Sequence, residues 1–124
     1  MNDDDLMRLT RRLRLARREA IAPERWCPAA DLVRERGGWR IKLELAGVDA
    51  ADVRVIAHGR WVLVRGRRRD TARYEGCDFQ AMEIVYSEFE RAFELPANLD
   101  RAHIRTDYRN GMLLVTITPE ATGK

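Results

Sequence analysis

The stretch that most limits how this chain can fold is Tyr108 to Pro119, which reads YRNGMLLVTITP. Asn110-Gly111 lies between two short runs of strand-forming residues. That dipeptide accepts the positive φ angles a two-residue hairpin requires. Beyond the turn, Leu113, Val115 and Ile117 share one face of a strand, while Leu114, Thr116 and Thr118 share the other. Pro119, with no N–H to donate, ends the ladder. The chain is therefore expected to close on an antiparallel hairpin with one apolar face.

Period-two alternation recurs upstream. Trp39, Ile41, Leu43 and Leu45 alternate with Arg40, Lys42, Glu44 and Ala46, and Gly37-Gly38 supplies a turn that pairs this strand with residues 31–36. Val53 to His58 forms another strand, turned back by His58-Gly59-Arg60 into Trp61 to Gly66. Met82 to Leu95 has strand character, and Ala102 to Tyr108 precedes the final hairpin. With turn signals at short, regular intervals and almost no helical periodicity after position 30, the core reads as all-β, a two-sheet sandwich.

Residues 6–21 are different. Leu6, Leu9, Leu13, Ala16 and Ala20 recur at intervals of three or four, behind Asp3, Asp4 and Asp5, and Pro23 follows. This predicts a short amphipathic helix with carboxylates at the positive end of its dipole. Its arginines admit three readings: a solvated face, a partner or client surface, or a helix that meets nucleic acid or a membrane surface.

The motifs, taken in order, resemble the alpha-crystallin domain of small heat-shock proteins of the bacterial type. Asn-Gly followed by Met112-Leu113-Leu114-Val115-Thr116-Ile117-Thr118-Pro119 is similar to the signature that ends that domain. Trp26-Cys27-Pro28 with Asp31-Leu32 resembles its entry segment, and Leu45-Ala46-Gly47-Val48 with Asp52-Val53 its Leu-Pro-Gly-Val turn. Val62-Leu63-Val64-Arg65-Gly66 is similar to the short strand that closes on glycine, and Phe89-Glu90-Arg91-Ala92-Phe93-Glu94-Leu95-Pro96 to the Phe-x-Arg-x-Phe-x-Leu-Pro element. The resemblance covers roughly residues 26 to 119 and implies an immunoglobulin-like β-sandwich. The expected organisation is a helical arm over 1–25, the sandwich over 26–119 with a loop at 67–81, and a tail at 120–124. Ala46 stands where the family commonly has proline, and no Ile-x-Ile motif follows Pro119, so dimers or small oligomers are expected.

By this resemblance, the loop at 67–81 carries a strand, Tyr74 to Phe79, that swaps onto a partner subunit. Tyr74, Glu75, Cys77, Phe79 and Arg91 are then the expected homodimer-interface residues. Arg91 shares its face with Phe89, Phe93 and Leu95, so it needs a carboxylate or carbonyl partner or must snorkel at a sheet edge. Val53, Val55, Ile104 and Thr106, on two predicted edge strands, are the expected walls of a groove for apolar peptides. The implied function is an ATP-independent holdase that binds exposed apolar segments of unfolding client proteins. The alternative is a p23-like co-chaperone or scaffolding module.

Composition and motifs narrow the partners further. The net charge is only +3, and the Arg65 to Arg73 cluster lacks the aromatic interleaving of a single-strand binder, so no nucleic-acid partner is expected. No apolar run approaches the ~20 residues of a membrane span, and the N-terminus carries no secretory signal. A cytoplasmic location is expected, with Cys27 and Cys77 as free thiols. No nucleophile and base pair, phosphate loop or metal-ligand spacing is present, and His58 and His103 sit on separate strands. Neither enzymatic activity nor a cofactor is expected.

Overall fold

The computed structural model describes residues 5, 8, 26–72 and 74–120. Seven strands follow in order: β1 (Ala30–Glu35), β2 (Gly38–Glu44), β3 (Val53–His58), β4 (Trp61–Arg67), β5 (Glu88–Glu94), β6 (His103–Arg109) and β7 (Met112–Thr118). A single 3-10 turn, Ala50–Asp52, leads into β3 and is capped by the Asp49 carboxylate, which accepts from the Ala51 N–H at 2.9 Å. The strands form two antiparallel sheets, ordered β1-β2-β7-β6 and β3-β4-β5.

The turn chemistry explains the registers. Asn110 and Gly111 both have positive φ, 53° and 76°, as a primed two-residue turn demands, and this aligns Arg109 with Met112 and Tyr108 with Leu113. Gly37, at φ 85°, does the same for β1 and β2, pairing Glu35 with Gly38. The expected parity holds throughout. Ile41, Leu43, Leu113, Val115 and Ile117 from one sheet meet Val62, Val64, Phe89 and Phe93 from the other in one buried core.

One expectation needs adjustment. Strand structure begins at Glu88 rather than Met82, so residues 82–87 belong to a long connection that also contains residues 74–79. Strand propensity there has no neighbouring ladder to satisfy, and an unpaired strand is not stable alone. The arm helix lies mostly outside the described residues. Asp5 and Arg8 are helical and form an i,i+3 ion pair at 2.7 Å.

Candidate functional site

Because β3 and β6 are each paired on one side only, their free edges face each other where the two sheets part. Between them runs a groove of about 640 Å³. Val53, Val55, Ile104 and Thr106 all line it, with Tyr108 and Leu113 beside them and Asp107 at the polar margin. All four belong to the inward-facing rows of their strands, since Ile104 and Thr106 stand opposite the buried Ile117 and Val115. The Tyr108 hydroxyl donates to the Leu45 carbonyl at 2.7 Å, which fixes the ring against the turn after β2. The groove thus combines apolar walls with unused main-chain donors and acceptors, the combination that receives an extended peptide by strand addition.

At the other side of the sandwich, β1 and β5 are the free edges. Leu32 and Val33 on β1 are 45% and 50% exposed, and the connection between β4 and β5 exposes Tyr74, Phe79, Met82, Ile84 and Tyr86. The Tyr74 and Phe79 rings pack against each other at a tilt of 53°, centroids 4.7 Å apart. The Tyr74 hydroxyl is held above its ordinary pKa by its hydrogen bond to Asp70, at 3.2 Å. Glu75 and Cys77 are exposed in the same connection. Arg91 lies apart from these residues, on β5, where its Nη1 donates to the Pro28 carbonyl at 2.6 Å. That contact meets its need for a carbonyl partner and ties the entry segment to the sheet, while the guanidinium sits 5.2 Å from the Phe93 ring centroid.

Arg68 is a residue whose role sequence reasoning missed. Its Nε and Nη2 both donate to the Val85 carbonyl, at 3.0 and 2.7 Å, and its Nη1 donates to Ala46 O at 3.2 Å. The guanidinium lies 3.7 Å from the Trp26 ring centroid, and the Arg68 N–H donates to Ser87 O at 3.0 Å. One side chain thus clamps both ends of the 68–87 connection, the turn after β2 and the entry segment. In the sequence it is one arginine in a basic run, and only its position just after a strand distinguishes it. Charge-assisted bonds of this kind contribute roughly 1.5–3 kcal/mol. Arg68→Ala is therefore expected to raise chymotryptic cleavage after Tyr74, Phe79 and Tyr86 by about tenfold, a shift of ~1.4 kcal/mol in local opening. Unchanged cleavage would show that the clamp does not restrain the connection.

The rest of the basic run is partly neutralised. Arg69 Nε is 3.2 Å from the Asp52 carboxylate, and Arg65 and Arg67 stand opposite Glu90 and Glu88 across the sheet. Among the described residues, no cluster of histidine, cysteine and carboxylates is arranged to hold a metal ion, and no helix is long and apolar enough to cross a membrane.

Two antiparallel sheets, a glycine-closed central strand and an arginine on the inward face of β5 define an alpha-crystallin-type sandwich. The model of the Hsp20/alpha crystallin family matches residues 31–124, and the chain belongs to that family. Spore protein SP21 of Stigmatella aurantiaca is 35% identical over 95 residues, covering 77% of this chain and 56% of that one. Small heat shock protein C2 of Rickettsia felis is 25% identical over 97 residues, covering 78% and 63%. The chain thus spans less than two thirds of either relative. Among solved structures, hspA from Xanthomonas axonopodis superposes with a TM-score of 0.64 at 28% identity, over 77% of this chain and 96% of that one. Heat shock protein 16.0 from Schizosaccharomyces pombe gives 0.71 at 22% identity, over 81% and 93%, a likeness of fold.

Proposed function

We propose that the chain is an ATP-independent holdase chaperone. The observation that carries this reading is the apolar groove between β3 and β6, where Val53, Val55, Ile104 and Thr106 converge beside two free sheet edges. An apolar segment of an unfolding protein would lie along it as an added strand, with its main chain satisfied by the free edge and alternate side chains entering the groove. Binding is the whole of the mechanism, since sequestering apolar surface removes the driving force for aggregation. Membership of the Hsp20/alpha crystallin family, whose relatives here include a protein called a small heat shock protein, supports the same reading. A cytoplasmic location is part of it.

Homodimerisation by strand exchange fits the other side of the sandwich. Tyr74, Glu75, Cys77 and Phe79 would form a strand once a partner's β1 edge supplies the ladder that a single chain lacks. The exposed Leu32 and Val33 on β1 would be covered in that event. Arg91, by holding Pro28, fixes the segment that leads into β1. A p23-like scaffolding role has no comparable observation in its favour, because it would use neither the exposed apolar connection nor the free β1 edge.

The test is aggregation of a heat-labile model client without nucleotide, followed by light scattering. The purified protein should suppress scattering at near-stoichiometric ratios, and added ATP should change nothing. Full client aggregation at several-fold molar excess of this protein would overturn the holdase reading and favour the scaffold.

A further inference from the structure

The sheet β3-β4-β5 has an inner face that meets the sandwich core and an outer face that the other sheet does not cover. Register assigns Ile56, Leu63 and Ala92 to one outward row, and His58, Trp61 and Glu94 to the next. Trp61 and Leu63 accordingly form a cluster of their own with Ile56 and Ala92, separate from the main core. Yet Leu63 is 0% exposed and Trp61 9%. Side chains on a sheet stand roughly perpendicular to it, so in-plane neighbours flank a central leucine without roofing it. Isoleucine on one side and alanine on the other cannot close off Leu63. Its complete burial requires a layer above the outer face, and β1, β2, β6 and β7 all lie below it.

We infer that this outer face is the docking surface for residues 6–21 of the same chain, laid across β4 as an amphipathic helix. Three observations select that occupant. The first is apolar match: Leu6, Leu9, Leu13, Ala16 and Ala20 form a stripe that fits a narrow row built from isoleucine, leucine, tryptophan and a single alanine. The second is charge. At about 100° per residue, Arg12 borders that stripe on one side and Arg17 on the other, and β5 presents Glu90 and Glu94 on either side of Ala92. The third is reach. Trp26 is anchored at the start of β5, its backbone N–H donating to the Ser87 hydroxyl at 3.1 Å and its ring packing edge-on against Phe89 at 5.2 Å. The five steps from Ile21 to Trp26 span at most ~17 Å, the length of β5 from Ser87 to Ala92, so the helix end falls beside the apolar row.

This surface is distinct from the β3-β6 groove, and the inference does not rest on the chaperone reading. Cross-linking tests it in the full-length chain. With Cys27→Ser and Cys77→Ser as background, Ala92→Cys is combined in turn with Leu9→Cys, Leu13→Cys and Ala16→Cys, and each variant is oxidised mildly with diamide. At least one pair should close a disulfide within one chain, seen as faster non-reducing migration at monomer mass. Cross-links only between chains would assign the face to a second copy, and cross-links from none of the three positions would remove the arm from it; either outcome overturns the inference. A second measurement needs no substitution. Amides of residues 9–18 should exchange with solvent at least tenfold more slowly in the intact protein than in a synthetic peptide of residues 1–25. Equal rates would overturn the docking even if the cysteine variants fail to fold.

Discussion

Gly66→Ala should lower the melting temperature by at least ~10 °C. Gly66 sits in the inward row between Val53 and Phe89. A Cβ there would stand 2.4 Å from the Asp52 carbonyl oxygen and 2.8 Å from the Phe89 ring. The first obstacle is backbone and the second is a fully buried ring already packed against Trp26, so neither can yield cheaply. Overpacking costs typically 1–3 kcal/mol, and a clash with main chain belongs at the upper end. At roughly 4 °C or more per kcal/mol for a domain of this size, the shift follows. Calorimetry checks it, and a loss under 3 °C would show that the β3 entry and Phe89 move more freely than their packing implies.

The second large effect concerns the groove. Val55→Asp places a carboxylate among apolar walls, and Thr106→Arg fills the groove from an exposed position on β6. Neither position is in the fully buried core, so the fold should survive. An apolar peptide segment laid against an added charge would have to desolvate it, at about 1–3 kcal/mol, which is roughly a 10- to 100-fold loss of affinity. Each variant should therefore require at least tenfold more protein for half-suppression of client aggregation, with an unchanged circular dichroism spectrum. Wild-type suppression by both would place client binding elsewhere on the molecule.

The contrast between what the sequence disclosed and what it hid follows the range of the interactions involved. The hairpins at Arg36-Gly37, one residue before the glycine pair the sequence suggests, and at Asn110-Gly111, and the inward parity of Ile41, Leu43, Val115 and Ile117, rest on dihedral preference and period-two alternation, which are local. The four groove residues were placed by resemblance to a family, and the structure sets them along one groove because β3 and β6 end their sheets. Arg91 was legible as a charge in need of a carbonyl, but its partner, Pro28, lies 63 residues away in the chain. Residues 82–87 carry strand propensity without a neighbour to pair with, so propensity alone misled there. Arg68 was hidden because its partners, the Val85 and Ala46 carbonyls and the Trp26 ring, come from three separate segments. The covered outer face did leave a trace: Trp61-Val62-Leu63-Val64 is continuously apolar, a pattern that reports burial on both sides of a strand, and its second side went unread.

The bond from the Arg68 N–H to Ser87 O, with the clamp around Val85, brings the two ends of a long connection to within one hydrogen bond of each other. A segment closed at its base in this way is topologically a side branch of the sandwich. Its length and sequence can drift with little penalty to the core, since doubling a closed loop adds only ~0.6 kcal/mol of closure entropy. Related chains are then free to diversify the branch, and with it any partner it reaches, while the scaffold that presents it stays fixed.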